Sequence, residues 1–119
     1  MIIFDAKDDA KRNSEMTMTE MIGKKTELGS YERFSITKVC IDEGYTDRKH
    51  FHKCSDELYY VVKGNCALEV NDTQYLLEEG MCVLVEHGEQ HFVKSLGDTA
   101  EFLVICSPAW DENDCYYIS

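Results

Sequence analysis

The sequence has little of what marks several common classes of protein. Its 119 residues include one proline and one tryptophan, and the six cysteines are irregularly spaced without a CxxC pair. Neither a zinc knuckle nor a disulfide framework is therefore expected. The longest apolar runs are short ones such as FLVIC at 102–106, whereas a bilayer-spanning helix needs roughly 20 residues. The apolar start is also too short for a secretory signal, so we predict a cytoplasmic protein.

Basic residues are scarce as well. Twelve Lys and Arg stand against 23 Asp and Glu, which gives a formal net charge of −11. Such a charge opposes binding to a phosphate backbone and to anionic membrane surfaces. We therefore expect no nucleic-acid partner and no membrane partner, and we interpret the acidic surface mainly as a source of solubility.

Short segments rich in Val, Ile, Tyr, Phe and Thr follow one another from residue 29 onwards, separated by Gly, Asn, Asp and Ser. This texture predicts strands and tight turns. The predicted strands are 31–41, 50–52, 57–63, 66–70, 74–78, 81–86, 90–95 and 101–107. No long helical period interrupts residues 30–107, and Pro108 follows the last strand. The pattern predicts one all-β domain that closes as a barrel or jelly roll.

The predicted domain organisation divides the chain into two parts. Residues 1–22 are polar and charged, with methionine as their main apolar content, and we expect an N-terminal arm or a short helix there. Residues 23–119 would form the barrel and a C-terminal tail that can fold back over it. The strand at 57–63 is apolar on both faces and needs cover outside the barrel. We therefore predict a symmetric homodimer.

Three chemically active side chains converge within eight residues. His50 and His52 are two apart, so both point to one side of an extended strand. Glu57 begins the next strand and can return to the same space across the hairpin. His91 begins a later strand and is a fourth candidate. Three imidazoles and one carboxylate suit one divalent transition metal, Fe, Mn, Ni, Zn, Co or Cu, with open positions left for a substrate.

Two stretches of the chain resemble the conserved motifs of the cupin superfamily. The first motif, G(X)5HXH(X)4E(X)6G, is matched at every position, from Gly44 through the two histidines and Glu57 to Gly64. The second, G(X)5PXG(X)2H(X)3N, is matched at Gly80, Gly88 and His91, with Glu86 in place of proline and Ser95 in place of asparagine. Without the proline, we expect a looser turn at this point.

The resemblance implies a small single-domain cupin, that is, a double-stranded β-helix or jelly-roll barrel with a metal inside one mouth. It implies that His50, His52, Glu57 and His91 are the metal ligands. It also adds to the expectation of a homodimer.

Tyr59 is the one catalytic candidate that we single out besides the ligands. It shares a face with Glu57, so its hydroxyl could reach the cavity as a hydrogen-bond donor or acid, although core packing is an equal alternative. Val61 and Val93 are expected to form apolar wall. His87 is expected to face solvent.

Three functions remain open at this point. The first is a metal-dependent enzyme on a small organic substrate, which would be a dioxygenase with Fe(II), or an isomerase, lyase or decarboxylase with Mn, Ni or Zn. The second is a non-catalytic module that binds a sugar or a small acid. The third is a structural barrel in which the metal only stabilises the fold.

Overall fold

The computed structural model describes residues 11–13, 15–24, 26 and 30–118. Within these ranges it contains eleven strands and one turn of 3₁₀ helix, Glu112–Asp114. The strands are β1 (Lys11–Asn13), β2 (Met16–Ile22), β3 (Ser35–Ile41), β4 (His50–Phe51), β5 (Asp56–Lys63), β6 (Cys66–Val70), β7 (Thr73–Leu77), β8 (Cys82–Val85), β9 (His91–Ser95), β10 (Ala100–Ser107) and β11 (Tyr116–Tyr117). No helix in these ranges has the length and hydropathy needed to cross a membrane.

The strands form two antiparallel sheets. One has the order β1-β2-β3-β10-β5-β8 and the other the order β11-β4-β9-β6-β7. Neighbours along the chain often lie in different sheets, so the connections cross repeatedly between the two layers, as in a jelly roll. The prediction of an all-β barrel is confirmed.

The core lies between the sheets, and β5 shows how alternation builds it. Glu57, Tyr59 and Val61 point inwards and are buried, whereas Tyr60 and Val62 on the opposite face are 40% and 45% exposed. The inner residues of β5 meet buried side chains from both layers. These are Ile41, Cys66, Leu68, Leu77, Val85, Val93, Ala100 and Phe102. The period of two in the sequence therefore sets which face of each strand is apolar and enclosed.

Two turns show why particular residues are needed. Asn71 and Asp72 join β6 to β7 with φ values of 47° and 70°, a left-handed pair that a two-residue hairpin requires and that these residue types tolerate. Gly64 ends β5 with φ 76°. A β-carbon at Gly64 would collide with the carbonyl oxygen of Thr99, so a side chain is excluded both by space and by backbone conformation.

The N-terminal segment contributes strands to the larger sheet. Residues Met16–Ile22 form β2, which pairs antiparallel with β3, and β1 pairs with β2 in turn. The described part of the predicted arm is thus extended, and it shows no short helix. Residues 1–10 lie outside the described residues, so the division of the chain at residue 22 stays a prediction.

Candidate metal centre

Two strands of the smaller sheet and one strand of the larger sheet bring the four candidate ligands together. His50 of β4 and His91 of β9 are direct partners across the smaller sheet, and Glu57 comes from β5 of the larger one. The predicted strand 50–52 ends one residue early, at Phe51, yet His52 still points to the same space. Each of the four offers one ligand atom, and these atoms all lie within 4.8 Å of one another. All four side chains are buried.

Each histidine is oriented by a hydrogen bond from its ring to a backbone carbonyl. His50 Nδ1 lies 2.7 Å from the oxygen of Arg48, and His91 Nδ1 lies 2.9 Å from that of Glu89. His52 Nδ1 lies 2.9 Å from the oxygen of Asp114. A carbonyl oxygen can only accept, so each Nδ1 must carry a proton and donate it. In a neutral ring, Nε2 then presents its lone pair to the common space, which is the tautomer that a metal ligand needs.

The donor atoms fit a cation at their centre. Glu57 Oε1 lies 2.7 Å from His91 Nε2 and 2.9 Å from His52 Nε2. A carboxylate oxygen and two imidazole lone pairs repel one another at these distances unless a proton or a cation lies among them. His52 Nε2 is also buried, and apart from this close approach to Glu57 it has no hydrogen-bond partner among the described residues. A divalent ion would satisfy all of these atoms at once.

The ionisation of the site follows from burial and mutual contact. Burial opposes charge on Glu57, but the close imidazoles of His52 and His91 outweigh it and hold the pKa of the carboxyl well below its usual range. Burial likewise lowers the pKa of His52, but the Glu57 carboxylate prevails and raises it. Burial lowers the pKa of His50. The Glu57 carboxyl is therefore ionised at neutral pH, the form in which it can bind a cation.

The C-terminal segment is part of this centre through Asp114. The backbone oxygen of Asp114 accepts the bond from His52, and its carboxylate accepts hydrogen bonds from the backbone N–H groups of Lys53, Cys54 and Ser55 at 2.9–3.2 Å. These three groups form the turn that separates the histidine pair from Glu57. One residue of the tail therefore fixes both the orientation of His52 and the turn that follows it.

Strand β11 holds the tail against the histidine pair. Tyr116 and Tyr117 pair with Phe51 and His50, respectively. The Arg48 guanidinium lies 4.0 Å from the centre of the Tyr117 ring, and the Lys53 ammonium lies 4.4 Å from that of Tyr116. These cation–π contacts add to the backbone ladder. The predicted folding of the tail back onto the barrel thus occurs at the candidate centre.

The turn of the second motif is closed although it has no proline. The Glu86 N–H donates to Glu89 Oε1 at 2.8 Å, and the Glu89 N–H donates to the Glu86 oxygen at 3.1 Å. Proline lacks the N–H that makes the first of these bonds. Gly88 also donates to the His52 oxygen at 2.7 Å, which ties the second motif to the first. The bond donated by the Glu86 N–H thus restrains the turn in place of the proline ring.

A cavity of about 400 Å³ opens beside the candidate centre. Of the four ligands, His50 and Glu57 reach its wall, and Tyr59 lies next to them. Burial, and then the charge of Glu57, raise the pKa of the Tyr59 hydroxyl well above its ordinary value. Tyr59 therefore keeps its proton at neutral pH and is available as a hydrogen-bond donor.

Other sequence-based expectations can be placed in the structure. Val61 and Val93 are buried in the interior, and Val93 lines the cavity. His87 is exposed, and its Nδ1 lies 2.8 Å from Asp56 Oδ1, which raises the pKa of the imidazole. His87 is therefore no part of the buried cluster.

Several cavity residues were missed from the sequence. Met16, Met18 and Glu20 of β2 line the cavity, as do residues of the tail. The alternation of MTMTE at 16–20 is a period-two signal that predicts a strand, but methionine and threonine give it little apolar contrast. Nothing in the sequence marks Asp114, since its contacts join residues about 60 positions apart.

Comparisons with known proteins agree on the fold. The family model described as Cupin domain matches residues 37–106. Among solved structures, KdgF from Halomonas sp. superposes with a TM-score of 0.81 at 18% identity, over 95% of this chain and 98% of that one. No curated protein matches the sequence.

Two further solved structures have the same fold. Pac13 of Streptomyces, solved with uridine, gives a TM-score of 0.80 at 16% identity, over 100% of this chain and 92% of that one. Oxalate decarboxylase from Bacillus subtilis gives 0.80 at 18% identity, over 97% of this chain but only 31% of that one. Identities this low are evidence of a shared fold alone.

Proposed function

Because this chain belongs to the cupin family, we propose that it is a metal-dependent enzyme that acts on a small organic molecule. Its cofactor would be one divalent transition metal, Fe, Mn, Ni, Zn, Co or Cu, held by His50, His52, Glu57 and His91. The observation that carries the proposal is the convergence of four ligand atoms. Each of the three imidazoles bonds to a backbone carbonyl through Nδ1, which leaves Nε2 to act as a ligand beside the buried Glu57 carboxylate.

A bound ion would polarise a substrate oxygen and stabilise negative charge developing there, or, as Fe(II), support chemistry with dioxygen. The chain supplies the rest of the site. Four ligands leave one or two positions of a five- or six-coordinate ion for the substrate. Tyr59 can donate a hydrogen bond to a bound molecule from the cavity wall. The buried Cys106 thiol lies 3.4 Å from Glu57 Oε2 and steadies the carboxylate.

The two similar structures that are named for an activity suggest only a class of reaction for this chain. Pac13 is described as a nucleoside dehydratase, and the Bacillus subtilis protein is an oxalate decarboxylase. Both names describe the cleavage of a bond in a small molecule, and lyase or decarboxylase chemistry belongs to the class that we propose here. The same fold hosts many reactions, so dioxygenase and isomerase chemistry remain members of the proposed class.

A second candidate is a non-catalytic module that binds a small molecule beside the metal. The observation that favours it concerns Tyr59. Because burial keeps the hydroxyl protonated, Tyr59 can donate a hydrogen bond but cannot serve as a base at neutral pH. The tyrosine therefore fits recognition of a ligand, and it does not supply the general base that many isomerase and lyase reactions need.

Metal content and turnover together test the two candidates. Protein purified without a histidine tag from its native host would be analysed for bound metal and then screened for turnover before and after EDTA. The enzyme proposal expects about one ion per chain and turnover that chelation abolishes and the same ion restores. A full metal complement without turnover on any panel would favour the binding module, and a metal-free protein that no added ion loads would contradict both.

A further inference from the structure

The two carboxylate oxygens of Glu57 face different partners. Oε1 lies 2.7 Å from His91 Nε2 and 2.9 Å from His52 Nε2, so it faces the space that the candidate ligands share. Oε2 lies 3.4 Å from the Cys106 sulfur. Because a carboxylate oxygen can only accept, the thiol donates this hydrogen bond. The carboxylate therefore points one oxygen at the candidate centre and is bonded to the barrel wall through the other.

The register of the larger sheet places Cys106 beside Glu57. Cys106 lies on β10, which is the strand between β3 and β5. Its cross-strand partners are Ser35 on one side and Glu57 on the other. All three side chains are buried, and residues directly opposite one another in a sheet lie side by side on one face. The three residues therefore form a row across the inner face of the sheet.

The far end of this row is held by the hydroxyl of Ser35. Ser35 Oγ accepts the backbone N–H of Trp110 at 2.9 Å, and a hydroxyl that accepts still has its own proton to donate. The side chain of Ser35 is in hydrogen-bonding contact with the Cys106 thiol. A chain of hydrogen bonds thus runs from the Trp110 backbone through Ser35 and Cys106 to Glu57. Since the sulfur accepts from Ser35, its single proton is directed to Oε2.

The bond to Oε2 matters because a carboxylate can bind an ion through one oxygen or through both. Binding through both oxygens uses two coordination positions of the ion. Cys106 lines the cavity together with Glu57 and His50, so the thiol acts on a ligand that faces the substrate space. If Oε2 left the thiol for the ion, it would occupy a position otherwise open to a substrate. It would also leave a buried donor without its acceptor, which costs free energy.

We propose that Cys106 is a positioning residue that restricts Glu57 to one metal-binding oxygen, Oε1, and so keeps a coordination position open for a substrate. This inference rests on the proposed function and adds to it the residue that keeps the site open. A thiol is an uncharged and weak donor, so Cys106 holds Oε2 without cancelling the negative charge that Glu57 offers to the ion.

Azide binding to the cobalt-loaded protein tests the inference, because azide takes an open position of the ion and changes its visible absorption. Cys106→Val removes the donor and keeps an uncharged side chain of similar size. We expect its azide affinity to fall at least about tenfold, a difference of about 1.4 kcal/mol, because Oε2 then competes for the open position. Cys106→Ala, which cannot overpack the core, should show the same fall. Cys106→Ser keeps a donor and should restore most of the wild-type affinity.

Cys66→Val is the matched control for these variants. Cys66 is likewise a buried cysteine on a strand, but it does not belong to the described wall of the cavity. Its replacement should leave azide affinity unaltered. An unchanged affinity in both Cys106→Val and Cys106→Ala would overturn the inference. An equal fall in the control would also overturn it, since the effect would then come from general disturbance of the core.

Crystals of the zinc-loaded proteins give a second readout that does not depend on affinity. In the wild type we expect one Glu57 oxygen about 2.0–2.2 Å from the ion and Oε2 still bonded to Cys106. In Cys106→Val we expect both oxygens on the ion. Two bound oxygens in the wild type, or only one in the variant, would overturn the inference.

Metal content measured on the same samples keeps the two proposals apart. A wild-type protein that loads with metal, but whose azide binding and Glu57 coordination do not respond to the loss of the thiol, refutes the role of Cys106 alone. A wild-type protein that takes up no metal refutes the proposed function, and the inference about Cys106 with it.

Discussion

The three histidines of the candidate centre are held in two different ways. His50 and His91 are oriented by carbonyls two residues away in their own segments, at Arg48 and Glu89. His52 is oriented by Asp114, 62 residues further along the chain. The ring orientation of two ligands is therefore set within their own motifs, whereas that of the third depends on Asp114 of the tail. Loss of the Asp114 contacts should disturb the orientation of His52 and leave the carbonyl bonds of His50 and His91 in place.

Removal of a ligand from either group should have the largest effect. We expect His91→Ala and His52→Ala each to abolish stoichiometric metal binding, because only three of the four protein ligands would remain to hold the ion. Elemental analysis after metal loading and gel filtration measures this. His87→Ala is the matched control, since His87 lies in the same turn motif but is exposed. Retained stoichiometry in both ligand variants would contradict the assignment.

A change at Asp114 should break only the remotely held histidine. Asp114→Asn weakens the acceptor for the N–H groups of residues 53–55 and so loosens both the turn and the carbonyl that orients His52. We expect roughly tenfold weaker metal binding, the lower end of the effect of supporting residues, measured by competition with a fluorescent chelator.

Asp111→Asn is the control for that experiment. Asp111 belongs to the same segment, where it caps the 3₁₀ turn and pairs with Lys24, whereas the backbone N–H groups at 53–55 donate to Asp114. It should leave metal affinity within about twofold of the wild type. If both variants bound metal equally well, the tail would have no role in positioning the ligands.

His52 and His50 should also differ in titration. In metal-free protein the pKa of His52 is raised by Glu57 against the effect of burial, whereas burial lowers that of His50. As pH falls, His52 should thus gain its proton before His50, and metal affinity should begin to fall there because the ion must displace that proton. Imidazole NMR signals followed against pH measure the order. A higher pKa at His50 would contradict this account of the electrostatics.

The smallest effect that we expect is on the oligomeric state of the protein. The outer face of β5 and β8 exposes Tyr60, Val62 and Leu84, the last to 56%, and a second copy of the chain can cover this apolar face. We expect Leu84→Lys to shift the sedimentation-equilibrium mass towards one chain while metal content stays unchanged. A wild-type mass of one chain at micromolar concentration would refute the homodimer.

Much of the fold and the grouping of the candidate ligands could be predicted from the sequence. The sequence pattern identified the strands β3 to β10, although β3 begins at Ser35 rather than at residue 31 and β11 of the tail was not predicted. The spacing of His50, His52 and Glu57 indicated a hairpin that gathers them. The extension of the larger sheet by β2 was not predicted, because its alternating Met and Thr side chains differ little in polarity. Contacts of Asp114 arise only when the tail docks, so no local pattern encodes them. The cytoplasmic location stays a prediction.

Crystals of the protein loaded with cobalt or zinc would test the central claim most directly, with anomalous diffraction recorded at the metal edge. The account predicts one strong peak per chain, about 2.0–2.2 Å from Nε2 of His50, His52 and His91 and from a carboxylate oxygen of Glu57. A peak bound by other residues, or no peak at this position in fully loaded crystals, would contradict it.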